Sequence, residues 1–379
     1  MLKIAKLQPD GLTSVSLDYI RFFAALAVVC GHAVGRIFGP YAEVVNPSIA
    51  EKIFRVLFSG YSSPAVMVFF VLSGLFIGRS IINQVNRQGF SFKNYLSRRL
   101  VRLWLVLIPA LILTYLIDMY GLTYWTSDGV YNANTLYGSI NPENLSFSIF
   151  ISNLFFTQTI LTPTLGTNGA LWSLANEFWY YVLFPLLFLP LVCKSAPHIK
   201  LIQLMTAVII FYFVGLDISI LFSIWLLGVG LLFLPYSVVN NKHYIWLLSI
   251  SFIVFIAALL FVRLSGQMDS KLVERVVCGV SFALFCYALI NSDKRIVPSS
   301  TNKKISHELA GFSYTLYLIH TPLLCLGRAV LINSDGYLTF SFTSLLLYFA
   351  LIIAILVIAY AMAKLTEFQT HKIYKWLKI

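Results

Sequence analysis

Long apolar runs follow one another along almost the whole of the chain. A helix needs about 20 mainly apolar residues to cross the ~30 Å hydrocarbon core of a bilayer. Ten runs near this length can be read from the sequence, at residues 18–38, 61–82, 99–120, 169–192, 199–216, 218–235, 243–263, 272–291, 308–331 and 339–363. The sequence therefore predicts an all-α, polytopic integral membrane protein with about ten transmembrane helices.

The composition leads to the same class of protein. Hydrophobic residues make up 59% of the chain and charged residues 11%, with a mean hydropathy of +0.83. So few polar residues cannot cover the surface of a soluble globule. No long polar insertion separates the apolar runs, so we expect residues 1–379 to form a single membrane domain with short tails at 1–16 and 364–379.

Two parts of this assignment have alternatives. Only Asp217 divides the fifth run from the sixth. Residues 148–160 could form an eleventh, short segment that enters the membrane and returns on the same side. An odd number of crossings would place the two termini on opposite sides of the membrane.

The distribution of lysine and arginine predicts the orientation, because cytoplasmic loops of membrane proteins collect these residues. With ten helices and the N-terminus inside, the outer segments hold few of the 27 lysines and arginines, namely Arg36, Lys52, Arg55, Arg263, Lys271, Arg275 and Arg328. Both termini are therefore expected in the cytoplasm. The net charge of +12 then reflects a positive inner face against anionic lipid, and it gives no reason to expect a nucleic acid as a partner.

Other kinds of segment and site have little support in the sequence. The first apolar run contains Asp18, Arg21 and His32 and lacks a small-residue cleavage site, so we interpret it as a retained helix and not as a signal peptide. The five cysteines lie in or at the ends of apolar runs, as small core residues do. The six histidines show no metal-ligand spacing, and we expect no metal site.

The first apolar run carries an arginine near its beginning and a histidine deeper inside. Arg21 and His32 are eleven residues apart, about three helical turns, so they share one helix face at a separation of roughly 16 Å. Ionisable groups within a membrane span are costly and usually face a polar cavity. Histidine is well suited to take and return a proton near neutral pH. We expect His32 to be catalytic; a buried structural histidine is the alternative.

A polar stripe lies in the fourth run. Ser173, Asn176, Glu177 and Tyr180 follow at spacings of three and four residues on an otherwise apolar helix. In the predicted orientation Glu177 lies about 12 Å below the outer boundary, close in depth to His32. Its carboxylate could orient or charge-stabilise the imidazole. The alternative is a hydrogen-bonded clamp between helices.

A similar strip lies in the ninth run. Tyr314, Tyr317 and His320 follow at every third residue, with His320 about 18 Å above the inner boundary. Pro322 should free backbone groups beside His320, and these groups must find partners in the protein or in water. We expect His320 to support the site or to line the substrate path in preference to transferring protons.

Basic residues begin the third run, and small residues lie in the second. Arg98, Arg99 and Arg102 could bind phosphates through charge-assisted hydrogen bonds; the alternative is that they set the topology and contact lipid headgroups. Ser73 and Gly74 would allow close approach of a second helix. A nucleophilic Ser73 would need an adjacent base, so packing is the simpler interpretation.

Five segments of the chain, taken in order, resemble motifs of the acyltransferase 3 family of membrane acyltransferases. They are the arginine and histidine of the first run and the segments 69–74, 99–102, 172–177 and 314–320. Each segment is short, but their order and their spread over nearly the whole chain are specific.

The resemblance implies transfer of an acetyl or similar acyl group from acyl-CoA in the cytoplasm to a hydroxyl of an acceptor, in the inner membrane. The acceptor is most often a surface carbohydrate such as O-antigen, and a macrolide or a lipid is the alternative. It implies catalytic roles for Arg21, His32 and Glu177, with His32 as a general base or as a covalent acyl carrier. The family's paired arginines correspond to Arg99 and Arg102. From the basic cluster and the polar strips described above, we expect coenzyme A to bind to Arg98, Arg99 and Arg102. We expect the substrate path to be lined by Ser73, Ser173, Asn176, Tyr180, Tyr314, Tyr317 and His320.

Many relatives also carry an extracytoplasmic hydrolase-like domain, which we do not expect here because the chain ends soon after its last apolar run. A transporter or flippase of lipid-linked sugars is the alternative function, since polar strips inside ten helices also describe a conduit. Against it, the sequence shows no pair of similar halves and no matched broken helices, which are common in secondary transporters.

Overall fold

The computed structural model describes residues 4, 11–87, 89–126, 129–131, 140–235, 243–264, 271–292, 298–332, 334 and 336–379. Most of the expected N-terminal tail, 1–16, lies outside these residues. In the described part, the regular structure is helical apart from one isolated bridge between Gln158 and Thr162. The prediction of an all-α chain is confirmed.

The α-helices of the described part are numbered in chain order. They are α1 (Leu12–Phe38), α2 (Ile49–Phe58), α3 (Ser62–Asn86), α4 (Phe92–Tyr124), α5 (Phe147–Leu154), α6 (Trp172–Val192), α7 (Pro197–Gly230), α8 (Tyr244–Leu264), α9 (Lys271–Ser292), α10 (Ser300–Ala310), α11 (Ser313–Ile332), α12 (Phe342–Leu365) and α13 (Thr370–Trp376). Short 3-10 turns lie between several of them, including Gly169–Leu171 directly before α6.

Nine stretches of the described residues are long and apolar enough to cross a membrane. They coincide with the ten predicted runs, except that the fifth and sixth runs are joined in one stretch, Pro197–Phe233. The chain is a multi-pass membrane protein. Its predicted orientation, with both termini in the cytoplasm, remains a prediction.

The joined stretch is interrupted within α7. As a straight helix its 37 residues would measure about 55 Å, nearly twice the hydrocarbon thickness. Gly215 has φ 79° and ψ 178°, a conformation that is essentially restricted to glycine. The helix therefore stops and restarts two residues before Asp217, where the sequence analysis divided the two runs.

The segment 148–160 makes no crossing of its own. Helix α5 has eight residues, about 12 Å of helix, and the chain then turns through the bridge between Gln158 and Thr162. Asn153, which is fully buried, holds this turn: its Nδ2 donates to the carbonyls of Ile149 and Pro163. Its Oδ1 accepts from the backbone N–H of Leu165.

Contacts divide the chain into two compact units that are interleaved in sequence. The first unit consists of Met1–Arg21, Ser63–Arg99 and Asn176–Ala310. The second unit consists of Phe22–Ser62, Leu100–Ala175 and Gly311–Ile379. Helices α1, α4 and α6 each contribute residues to both units, so each unit assembles only from distant parts of the chain.

In the first unit, glycines bring the backbones of α3 and α7 together. A Cβ atom on Gly74 would lie 1.9 Å from the carbonyl oxygen of Trp225, and one on Gly228 would lie 1.9 Å from that of Val71. The Trp225 side chain is fully buried beside the rings of Phe184 and Phe222. The helix approach expected at Gly74 is therefore present.

We predict that Gly74→Ala destabilises the protein. The added methyl group has no space against the Trp225 carbonyl, and overpacking of this kind costs about 1–3 kcal/mol, more than the helix propensity gained from alanine, which is at most ~1 kcal/mol. Gly230→Ala is the matched control, because nothing lies within 4 Å of its added Cβ. Thermal unfolding of the detergent-purified proteins measures both; equal melting temperatures for the two variants would contradict the packing described.

Candidate active site

The second unit brings together two histidines from different helices. His32 Nδ1 on α1 lies 2.9 Å from His320 Nε2 on α11. Their ring centroids are 5.2 Å apart and their planes differ by 18°. His320 is fully buried, whereas His32 is partly exposed. The partly exposed His32 thus contacts the fully buried His320.

A backbone contact of His320 defines which nitrogen of its ring carries hydrogen, and through it which nitrogen of His32 does. His320 Nδ1 lies 2.7 Å from the Tyr317 carbonyl oxygen, which can only accept, so Nδ1 is the protonated nitrogen and Nε2 the acceptor in the neutral ring. His32 Nδ1 must then donate to His320 Nε2, a position that the Thr321 hydroxyl also contacts at 3.2 Å. Neutral His32 therefore carries its lone pair, which can accept a proton, on Nε2.

A proline in α11 creates a binding point beside His320. Pro322 lies inside the helix and has no N–H for the carbonyl four residues earlier, that of Leu318. Asn168, which is fully buried, donates from Nδ2 to this carbonyl at 2.8 Å and to Thr114 Oγ1 at 3.0 Å. The backbone partner that the sequence predicted for this proline is therefore an asparagine from the turn before α6.

A pair of buried hydroxyls lies next to the histidines. Ser173 Oγ and Tyr317 Oη are 2.8 Å apart, and Tyr317 also donates to the Ala170 carbonyl at 3.2 Å. The Tyr317 ring is 5.8 Å from the His320 ring. Of the predicted lining residues, Ser173, Tyr314, Tyr317 and His320 thus belong to the unit that contains His32.

Two buried arginines hold the C-terminal end of α1, the helix that carries His32. Arg55 donates from Nη1 and Nη2 to the carbonyls of Gly39 and Phe38, each at 2.8 Å, and from Nε to Glu51. Arg328 on α11 donates from Nε to the Arg36 carbonyl at 3.0 Å. The last carbonyls of a helix lack intrahelical partners, so these guanidinium groups bind α1 where its own hydrogen bonds end.

In the first unit, Glu177 is held by hydroxyl groups. Its Oε1 accepts hydrogen bonds from Ser73 Oγ at 3.3 Å and from the Tyr181 hydroxyl. Ser73 in turn accepts from the indole N–H of Trp225 at 3.0 Å. Glu177 is partly exposed, so two side chains orient its carboxylate while it stays accessible.

A line of contacts connects Glu177 with Arg99 inside the first unit. The Tyr181 carbonyl is freed by Pro185, which lies four residues later in α6, and it accepts from the Tyr95 hydroxyl at 3.1 Å. The Arg99 guanidinium lies over the Tyr95 ring, 5.4 Å from its centroid, and Nη2 donates to Ser80. Arg99 Nε is buried with no hydrogen-bond partner in the described part of the chain.

Comparison with known proteins agrees with this arrangement of motifs. A family model described as an acyltransferase domain, Acyl_transf_3, matches residues 14–364. The chain belongs to the acyltransferase 3 family. An uncharacterized protein of Haemophilus influenzae is 28% identical to it over 151 residues, which are 38% of this chain and 56% of that protein. The chain therefore spans little more than half the length of that curated relative, and no solved structure matches it.

The remaining predicted residues of this acyltransferase 3 family member lie in the first unit or at its border. Arg21 is partly exposed and is 4.0 Å from Asp18, one turn earlier. Asn176 Nδ2 donates to Tyr180 Oη, which donates to the Ile218 carbonyl at 2.8 Å; both side chains are buried. Arg98 is exposed and Arg102 is partly exposed.

The structure groups the predicted residues in two sets. His32 and His320 are in direct contact in the second unit, and Glu177 and Ser73 are in direct contact in the first. The predicted assistance of His32 by Glu177 remains a prediction. Sequence reasoning missed Asn168, Arg55 and Arg328; Pro322 indicated that a donor was needed, but nothing local identified which residue supplies it.

We predict that Asn168→Ala destabilises the protein, because it leaves the Leu318 carbonyl unpaired in the interior. An unpaired buried group of this kind lowers the free energy of unfolding by about 1–3 kcal/mol. Pro322→Ala supplies a helix N–H to the same carbonyl, so the double variant Asn168→Ala with Pro322→Ala should recover part of that loss. Unfolding of the four proteins in detergent measures this cycle. Additive effects of the two substitutions would contradict the assignment of the carbonyl.

Proposed function

We propose that this chain is a membrane O-acyltransferase. It moves an acyl group, most simply acetyl, from acyl-CoA on the cytoplasmic side to a hydroxyl of a cell-surface polysaccharide or of its lipid-linked precursor, in the inner membrane. Membership of the acyltransferase 3 family supports acyl transfer. The acyl-CoA donor, the acetyl group, the acceptor and the placement in the inner membrane are our proposal.

The observation that carries the proposal is the contact between His32 and His320. Because the Tyr317 carbonyl fixes the hydrogen on His320 Nδ1, the neutral His32 ring presents a lone pair at Nε2. A general base must have such a lone pair and be held so that it points at the proton that it removes. His320 holds the His32 ring at Nδ1, and His32 is partly exposed.

The transfer step needs no group beyond those of the two substrates and this imidazole. His32 Nε2 takes the proton of the acceptor hydroxyl as the oxygen attacks the thioester carbonyl carbon. The tetrahedral intermediate collapses with cleavage of the carbon–sulfur bond, and the proton on Nε2 passes to the departing thiolate. The products are the O-acyl ester and free coenzyme A.

His320 acts as a positioning residue in this step. When His32 gains a proton at Nε2, its Nδ1 hydrogen remains bonded to His320 Nε2, which keeps the ring in the orientation that received the proton. In serine hydrolases an aspartate does the same for the catalytic histidine. Here the group is a neutral imidazole, itself held by a backbone carbonyl.

Glu177 supplies a fixed carboxylate, as the hydroxyls of Ser73 and Tyr181 both bind its Oε1. We propose that it assists the base, either directly or through the acceptor hydroxyl. Arg21 would stabilise negative charge that develops on the substrates. Of the lining residues, Ser173 and Tyr317 are proposed to exchange their mutual hydrogen bond for bonds to a carbohydrate.

The arginines at the start of α4 are proposed to bind the phosphates of coenzyme A. Ser80 and Tyr95 orient the Arg99 guanidinium, and its Nε hydrogen has no partner in the described part of the chain. Arg98 and Arg102 lie within one helical turn of it. Clustered guanidinium groups of this kind bind phosphates by charge-assisted hydrogen bonds.

We expect His32→Ala to lower the transfer rate by about 10²–10⁴-fold, the usual contribution of a general base, with folded protein still in the membrane. His320→Ala should lower kcat and leave the KM for the donor unchanged. The control is His307→Ala, an exposed histidine on α10. The assay follows radiolabelled acetyl from acetyl-CoA to an acceptor glycan in nanodiscs; full activity of His32→Ala would remove the mechanism.

The same assay distinguishes an enzyme from a transporter, and it distinguishes His32 as a general base from His32 as a covalent acyl carrier. A transporter would move substrate without consuming thioester. If the label stays on denatured wild-type protein when no acceptor is present, and is absent from His32→Ala, the histidine carries the acyl group covalently.

We expect Arg99→Ala and Arg102→Ala to weaken donor binding. A hydrogen bond to a charged group contributes about 1.5–3 kcal/mol, so the KM for acetyl-CoA should rise roughly 10–100-fold for each variant, with kcat largely retained at saturating donor. Lys93→Ala, at an exposed position in the first turn of α4, is the control. An unchanged KM in both arginine variants would reassign these residues to membrane topology.

A further inference from the structure

An apolar ridge lies on the segment between α1 and α3. Every fourth residue from 41 to 57 is a large apolar side chain on the surface: Tyr41 is 47% exposed, Val45 85%, Ile49 77%, Ile53 56% and Leu57 62%. The last three project from α2 at positions i, i+4 and i+8, which form one stripe on a helix. We call Ile49, Ile53 and Leu57 the apolar ridge.

The opposite face of α2 is fixed to the end of α1. Phe54 is buried against the rings of Phe38 and Tyr348. Arg55, on the same face, binds the Phe38 and Gly39 carbonyls. The helix therefore cannot turn the apolar ridge inward without breaking these contacts, and the ridge stays on the outside.

Helix α2 does not continue into the membrane-spanning helix α3. Ser59 is extended, with φ −125° and ψ 157°, and Gly60 has φ 89°, so the helix ends before α3 begins at Ser62. With ten residues, α2 measures about 15 Å and is too short to cross a bilayer. Ser48 caps its first turn by accepting from the Glu51 N–H, so α2 is a complete, separate helix.

The position of α2 in the chain places it at the edge of the membrane. It is bound to the terminal carbonyls of α1, a helix of 27 residues whose length of about 40 Å exceeds the hydrocarbon thickness. The surface of α2 also carries the exposed charged residue Lys52 beside the ridge. A short helix with one apolar edge and one charged edge is typical of helices that lie in the membrane interface.

We propose that the apolar ridge inserts into the lipid leaflet that surrounds the C-terminal end of α1, so that α2 lies in the plane of the membrane. The ridge would contact the acyl-chain boundary of the bilayer, since exposed apolar side chains in one stripe are unfavourable in water and α2 is bound to the end of the membrane-spanning helix α1. Because Arg55 binds α1 six and seven residues after His32, the leaflet would also fix the depth of the histidine-bearing helix. The proposal does not depend on the acyltransferase chemistry.

The test is site-directed spin labelling of the full chain in lipid nanodiscs. Cys193→Ser removes the partly exposed cysteine, and the other four cysteines are buried. Single labels are then placed by Ile49→Cys, Ile53→Cys and Leu57→Cys on the ridge, with Lys52→Cys as the matched control on the charged edge. Power saturation compares collisions with oxygen, which concentrates in lipid, and with a water-soluble nickel chelate.

We expect ridge labels to collide several-fold more with oxygen than with nickel, and the Lys52 label to show the reverse. If the ridge labels are as accessible to nickel as the Lys52 label, α2 lies in water and the proposal is wrong. If ridge labels are shielded from both reagents, another protein surface covers the ridge, and the proposal is equally wrong. Spin–spin broadening that disappears on dilution with unlabelled protein would then identify that surface as a second copy of the chain.

Discussion

The hydrogen bond from His320 Nδ1 to the Tyr317 carbonyl sets which ring nitrogens of His320 and His32 carry hydrogen. It is a local contact within one turn of α11, at 2.7 Å, yet it decides the tautomer of His320, through it the tautomer of His32, and so which nitrogen of His32 can accept a proton. No charged partner is involved in this sequence of bonds. In the proposed mechanism a backbone carbonyl takes the place of the carboxylate that orients the histidine in many hydrolases, and it avoids burying an additional charge in the membrane, which would be costly.

Backbone carbonyls also serve as binding points at two of the prolines that lie inside helices. Pro322 frees the Leu318 carbonyl for Asn168, and Pro185 frees the Tyr181 carbonyl for Tyr95. In each case a backbone group becomes a specific binding point between distant segments, and a functional candidate lies close by: His320 in α11 and Glu177 in α6. Apolar helices have few polar side chains that can form hydrogen bonds between helices. Carbonyls that prolines leave without a helical partner therefore provide additional hydrogen-bond acceptors in the membrane interior.

Much of the helix pattern could be predicted from the sequence, because a run of about 20 apolar residues indicates a membrane-spanning helix. The strip of Tyr314, Tyr317 and His320 and the need for a donor near Pro322 were also predictable, since both depend on spacing within one helix. The identity of that donor was not, because Asn168 lies 150 residues earlier in a non-helical turn. The sequence analysis assigned Arg55 and Arg328 to the outer segments as loop charges. The structure shows both buried at the end of α1, each 3% exposed. The break in α7 lies at Gly215, two residues before Asp217, because its backbone conformation is essentially restricted to glycine.

The central claim, that neutral His32 presents its Nε2 lone pair to the substrate, is open to direct measurement. Solid-state NMR of the full chain in lipid, with ¹⁵N-labelled histidine, distinguishes protonated from unprotonated ring nitrogens, and the signals of His32 are those missing from His32→Asn. The account predicts a protonated Nδ1 and an unprotonated Nε2 for the neutral ring of His32. The reverse assignment, with hydrogen on Nε2, would contradict it.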